Sequence, residues 1–315
     1  MRSLFPLTIV GLLCGGISGV ATAEENHPLP PTVADGAKLV EEYGDDRFFE
    51  GPTWDPQTQR LYFTAFRDKD TQILRLDGPG KVHVWLDDTK GVNGTCLARD
   101  GRLLGAQAFG NKLMSYQIAR EAPSDTKILV DDPTLNQPND VAASPKKGGG
   151  IYYTDPDFKN RATSAVYHLS TTGKVTRVLN DMQVPNGCLV SNDGKTLYVG
   201  DSYLKHWRAY PIQADGTVGP GSVFFDPDTE RDDSPDGMTI DERGNLYLSG
   251  RGGVWVCDKW GKSLGLIPVP EFCSNVAFGG EDGKTLYLTC SEKLYSLKMN
   301  TRGPKSAGKG KSKKH

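Results

Sequence analysis

Six polar residues stand at matching places along the chain: Glu50, Asn93, Asn139, Asn186, Asp236 and Asn275. Each lies ten to twelve residues upstream of a short repeated segment, and four of the six are followed at once by glycine. Two carboxylates and four amides, with no histidine or thiol at the same place, make a set of oxygen donors only. Hard oxygen donors suit a divalent cation such as Ca²⁺ or Mg²⁺, whereas Zn²⁺ favours imidazole or thiolate. Two carboxylates brought together without a basic partner repel each other, and a cation between them removes that repulsion. A bound cation can polarise a carbonyl or phosphoryl oxygen and orient a water, and a carboxylate oxygen left free can take a proton. Hydrolysis of an ester, lactone or phosphoester is the reaction class such a set serves. The bland alternative is a water-filled channel lined by polar side chains.

For these six residues to meet, the elements carrying them must repeat around one axis. The repeated segment is an aliphatic residue, usually a tyrosine, then a small or β-branched residue: Leu61-Tyr62-Phe63-Thr64, Leu103-Leu104-Gly105-Ala106, Ile151-Tyr152-Tyr153-Thr154, Leu197-Tyr198-Val199-Gly200, Leu246-Tyr247-Leu248-Ser249 and Leu286-Tyr287-Leu288-Thr289. Successive copies are about 40 to 50 residues apart, which for strand-only units means propeller blades. Further strands fit after each copy, as in Gln72–Leu76 and Val82–Leu86. Short apolar runs just after the polar residues, such as Gly187–Val190, fit innermost strands, with turns such as Asp193-Gly194 after them. The sixth unit runs out after Leu294–Leu297, and Lys38–Tyr43 is free to supply its missing fourth strand and cover an open edge. The expected fold is all-β: a six-bladed propeller of four-stranded blades over residues 37–300, closed by an N-terminal strand.

The 315 residues include 37 glycines and 20 prolines, a composition of short strands and tight turns. Arg2, the apolar run Leu4–Val20 and Ala21-Thr22-Ala23 read as a signal peptide cleaved near Ala23, so the protein is expected to be exported, periplasmic or secreted. Pro6 and several glycines argue against a membrane anchor. Residues 24–36 read as a linker, and Thr301–His315 as a disordered basic tail that cannot bury apolar surface. The net charge is −2. Setting the tail and Arg2 aside leaves a distinctly acidic body, which argues against nucleic acid as a partner. His27, His83, His168, His206 and His315 are scattered, and no dinucleotide fingerprint follows a strand. Covalent-nucleophile and nicotinamide chemistry therefore find no support.

Glu50-Gly51-Pro52-Thr53-Trp54, Pro138-Asn139-Asp140-Val141 with Ile151-Tyr152-Tyr153-Thr154-Asp155-Pro156, Pro185-Asn186-Gly187, Pro235-Asp236-Gly237-Met238 and Asn275-Val276-Ala277-Phe278-Gly279-Gly280 together resemble the landmarks of the SMP-30/gluconolactonase family of six-bladed propellers. The resemblance implies metal ligands at Glu50, Asn139, Asn186 and Asp236, and hydrolysis of a small lactone or sugar-acid derivative with Asp236 as the base. Ca²⁺ is the expected ion, with Zn²⁺, Mg²⁺ and Mn²⁺ as alternatives. In the animal branch an arginine that helps hold the sugar lies two residues before the Asn139 position; here that residue is Gln137. A non-enzymatic sugar- or partner-binding propeller and a phosphotriesterase-like hydrolase would use the same cage.

Substrate contacts are expected from Asn93, Asn275 and Gln137, and from residues leaving the second strand of each blade on the metal side: Gln107, Asp155, Asp201 and Arg251. Asp155 and Asp201 could equally close turns, and Arg251 could be a surface charge. After cleavage five cysteines remain, an odd number, so at least one thiol is free unless chains pair. Cys273 and Cys290 fall on adjacent strands and form the one plausible disulfide. The sequon Asn93-Gly94-Thr95 would be shielded in the channel.

Overall fold

The computed structural model describes residues 27–304. Six four-stranded antiparallel sheets make up the fold. Five are built from four consecutive strands, the first being Phe48–Asp55, Arg60–Arg67, Asp70–Gly78 and Lys81–Leu86. The sixth joins Cys273–Gly279, Thr285–Cys290 and Lys293–Lys298 to Val40–Gly44 from the other end of the chain. In that closure Val40 faces Ser296, Glu41 faces Tyr295 and Tyr43 faces Leu294. The architecture is the six-bladed propeller expected from the repeat, and the closing strand is the expected segment starting two residues later.

The repeated segment is the second strand of every blade, and its alternation explains why it is apolar on both faces. Tyr62 packs toward blade two with Val92 and Leu103, while Leu61 and Phe63 pack toward blade six with Tyr287 and Leu294. Tyr198 and Tyr247 likewise point forward to the next blade, and Leu197, Val199, Leu246 and Leu248 point back or across the nearer interface. Successive side chains of a strand face opposite sides, so each second strand fills two of the six interblade clusters. The core is therefore a ring of six apolar seams, and the space inside it is left to the innermost strands.

Those strands are Phe48–Asp55, Val92–Leu97, Val141–Ala143, Pro185–Val190, Met238–Ile240 and Cys273–Gly279. The six polar residues sit at or just before their N-terminal ends. The signal-peptide reading lies outside the described residues. Within the expected linker, residues 27–36 are packed rather than free: Val33 is buried in the last apolar seam and bridges to Met299, and Asn300 donates its amide to Thr32 O. The start of the expected tail is docked too. Thr301 is buried, Arg302 O accepts from the Glu242 amide, and Gly303 N donates to Gly283 O. Residues 305–315 lie outside the described part. Cys273 and Cys290 stand opposite each other across two strands, yet all five described cysteines are free thiols. No described helix is long and apolar enough to cross a membrane.

Candidate active site

The geometry of the cage begins with backbone approach. A Cβ on Gly94 would meet Asp140 Oδ1 at 2.1 Å, one on Gly187 would meet Asp236 O at 2.1 Å, and one on Gly237 would meet Asn275 Cγ at 1.9 Å. The glycine after each of these polar residues thus makes room for the polar residue of the next blade. Amides then tie neighbouring blades together: Gly94 N donates to Asn139 O and Gly237 N to Ser274 O, both at 2.7 Å. Ser274 Oγ donates to Phe49 O at 2.7 Å, joining blade six to blade one.

The small residue ending the repeated segment completes this girdle. Thr64 Oγ1 donates to Asn93 O, Ser249 Oγ to Gly237 O and Thr289 Oγ1 to Asn275 O, while Thr154 Oγ1 accepts from Asp140 N. All four hydroxyl side chains are fully buried.

Within the girdle the six side chains fall into distinct roles. Glu50 is buried, and its Oε2 accepts from Gly51 N and from Asn275 Nδ2. Asn275 Oδ1 accepts from Val276 N at 2.8 Å, so the Asn275 amide is spent on holding Glu50 and on its own backbone. Asn186 Nδ2 donates to Ser202 Oγ at 3.0 Å, and Ser202 in turn donates to Pro235 O at 2.7 Å. That leaves Asn186 Oδ1 a buried acceptor without a partner, and Asn93 Oδ1 is in the same condition. Buried polar atoms are nearly always satisfied, so two orphaned carbonyl oxygens beside two carboxylates suit a bound cation. Asn139 is buried at the corresponding place in blade three, while Asp236 retains some exposure to the channel.

A third carboxylate stands in the cage. Asp140 is buried, its Oδ1 accepts from Val141 N at 2.8 Å, and its Oδ2 accepts from Cys188 N at 2.9 Å. Blade three has no glycine after its ligand position, and the Asp140 carboxylate makes the tie to blade four that an amide makes elsewhere. The sequence reading missed this role, although an acidic residue replacing the glycine was the signal. Burial, and then the charge of Asp140, push Glu50 up to about 7. Burial pushes Asp140 itself up to about 7. Asp236 is raised well above the usual carboxylate range by burial, then by the charges of Glu50 and Asp140. Three carboxylates stand close enough to raise one another, and the donor set fits a divalent cation. Among the described residues no group of three or more His, Cys, Asp or Glu is arranged as a cation site on its own, so a cation here would need the neutral amide oxygens as well.

Asp155 and Asp201 are turned onto backbone amides. Asp155 is fully buried and accepts from the amides of Asn136 and Gln137 at 3.0 and 2.7 Å. Asp201, also fully buried, accepts from the amides of Gln183, Val184, Tyr203 and Leu204. Gln107 Nε2 donates to Thr89 O at 2.7 Å, and Arg251 Nη2 donates to Thr229 O at 3.1 Å. Each exit residue grips the loop that leads into the ligand position of its own blade. Turn closure, the alternative left open for the aspartates, is their role, because a buried carboxylate needs several donors and these amides supply them. Arg251 reaches its loop through Nη2, while its Nε has no partner. Gln137 is half-buried beside Asn139 on the metal side.

Behind the cage the channel widens to a cavity of about 640 Å³ lined by Thr95, Cys96, Asp140, Cys188, Met238 and Asn275 among others. Thr95, Cys96 and Cys188 follow the ligand positions along their innermost strands, and Asp140 and Asn275 of the cage itself also line the cavity.

Fold and cage together define a six-bladed propeller whose innermost strands present oxygen donors toward one mouth. The chain belongs to the SMP-30/gluconolactonase/LRE-like family, whose model matches residues 48–292. It is 28% identical to a gluconolactonase from Zymomonas mobilis over 82% of this chain and 80% of that one. It is 29% identical to a pentonolactonase from Haloferax volcanii over 77% and 81%. Among solved structures, a gluconolactonase from Xanthomonas campestris superposes with a TM-score of 0.73 at 26% identity, covering 86% of this chain and 95% of that one.

Proposed function

We propose that this protein is a metal-dependent hydrolase of small lactones. The observation that carries the reading is the pair of orphaned buried oxygens, Asn93 Oδ1 and Asn186 Oδ1, beside the Glu50 and Asp236 carboxylates. The names of the relatives support the lactone as substrate class. Glu50, Asn139, Asn186 and Asp236 would hold the ion, with Asn93 beside them, and all-oxygen donors favour Ca²⁺. When bound, the cation supplies a Lewis acid for the lactone carbonyl and offsets the carboxylate charge.

The chain's own residues do the rest. Glu50 is fixed by two donors on one oxygen, so it serves as a rigid ligand. Asp140 has both oxygens committed to backbone amides and cannot take a proton from water without breaking the tie to blade four. Glu50 Oε1 carries no donor either, but Glu50 is buried, and Asp236 is the carboxylate that keeps some exposure and can meet water. Its free oxygen takes the proton as water attacks the carbonyl carbon, and returns it to the ring oxygen as the C–O bond opens to the hydroxy acid.

Asp236→Asn keeps an oxygen donor and removes the base, so turnover should fall about 10²- to 10⁴-fold while metal binding largely survives. Glu50→Gln should act through metal affinity and be partly rescued by added calcium. Near-native turnover of Asp236→Asn at saturating calcium would remove Asp236 from the base role. If the calcium-loaded protein turns over no lactone or phosphotriester, the binding-propeller reading replaces this one. Export is part of the proposal, supported by the signal-peptide pattern of residues 1–23; recovery of the protein in the cytoplasmic fraction with residues 1–23 intact would oppose it.

A further inference from the structure

We infer that the mouth above the cage receives a lactone bearing an apolar substituent, alkyl or aryl, in preference to a bare polyhydroxylated ring. This rests on the lactonase reading and refines the same site. Beyond the N-terminal segment, the exposed large apolar residues fall into three places. One set, including Val84 and Ile128, lies on the outermost strands. Trp260 stands alone at a turn on the opposite face, between Gly253–Cys257 and Ser263–Pro268. The remaining five, Phe48, Phe109, Phe158, Tyr203 and Leu204, all lie where the chain turns over the ligand-side mouth. Five against one between the two faces is an asymmetry that the fold itself does not require.

These side chains are also held in place by the segments that carry the ligands. Phe48 precedes Glu50 by two residues and stacks on Phe272, with centroids 6.5 Å apart and an interplanar angle of 18°. Phe272 precedes Asn275 by three. The Phe109 ring packs over Gly91, where a Cβ would lie 2.7 Å from it, and Gly91 leads into Asn93. Tyr203 follows Ser202, the partner of Asn186, and its ring lies 3.9 Å beneath the Arg161 guanidinium. Rigid aromatic side chains around a polar centre bind apolar groups at small entropic cost.

The test compares kcat/KM of the calcium-loaded protein for δ-valerolactone, glucono-δ-lactone and a δ-lactone carrying a heptyl chain. The heptyl lactone should be preferred over both others by at least about tenfold. Phe109→Ala and Tyr203→Ala should each lower that preference by about fivefold or more. Trp260→Ala, on the opposite face, should leave it within about twofold. A preference for glucono-δ-lactone, or a ratio indifferent to both mouth substitutions in active protein, overturns the inference while leaving the lactonase reading intact. Hydrolysis of none of the three rejects the lactonase reading itself.

Discussion

Asn275 Nδ2 donates to Glu50 Oε2 at 3.0 Å across 225 positions of sequence. This contact joins the last innermost strand to the first at the level of the cage, separately from the strand pairing that closes the ring. In the proposed site Asn275 would therefore orient the ligand Glu50 rather than act as one. Asn275→Ala should weaken calcium binding about 10- to 100-fold, the usual cost of losing an outer-shell partner. Calorimetric titration giving an unchanged affinity would show that Glu50 is positioned without it.

Gly237 has no room for a side chain, because a Cβ there would fall 1.9 Å from Asn275 Cγ. Gly237→Ala should push Asn275 off Glu50 and lower stability by about 1–3 kcal/mol, the usual range for overpacking. Reduced calcium affinity should accompany the lower melting temperature. A variant with native stability and affinity would mean that blade six can shift freely at this point.

The two buried carboxylates, Glu50 and Asp140, give a pH dependence with a definite sign. Glu50 and Asp140 are both pushed up to about 7 in the folded protein, against about 4 in an unfolded chain. Between those values the folded state holds protons that the unfolded state releases, so stability of the ion-free protein falls as pH rises through that window. A cation requires the ionised carboxylates, so its stabilisation should grow over the same range. Melting in chelator at about pH 5 and about pH 7.5 should show a drop, and calcium should reverse it mainly at the higher value. A flat or rising profile without ion would contradict the shared-charge picture.

Much of the fold was legible because a propeller repeats its solution: Tyr62, Tyr152, Tyr198, Tyr247 and Tyr287 recur at one place in their blades. The six polar residues gathered at one level of the channel for the same reason. What periodicity could not resolve was the difference among them. Asn275 and Asn186 are alike in sequence, yet hydrogen bonds spend one amide and leave the other oxygen open. Asp140 was hidden because its role depends on the Cys188 amide, 48 residues away. Asp155 and Asp201 were ambiguous because a carboxylate leaving a strand can face a ligand or close a turn, and only the positions of nearby amides decide.

The closing strand is a further point of vulnerability. Val40–Gly44 covers the edge of Lys293–Lys298, and Val33 is buried in the seam beside it. Deleting residues 24–44 should expose that edge and give a protein that aggregates and melts lower. An unchanged melting temperature in the deletion variant would mean that the ring holds without this strand.

The most direct test of the account is a calcium titration of chelator-treated protein, followed by the rate of lactone hydrolysis. The account predicts negligible turnover without ion and recovery that saturates at one calcium per chain. Full turnover in the chelated protein, with no ion detected by elemental analysis, would contradict it.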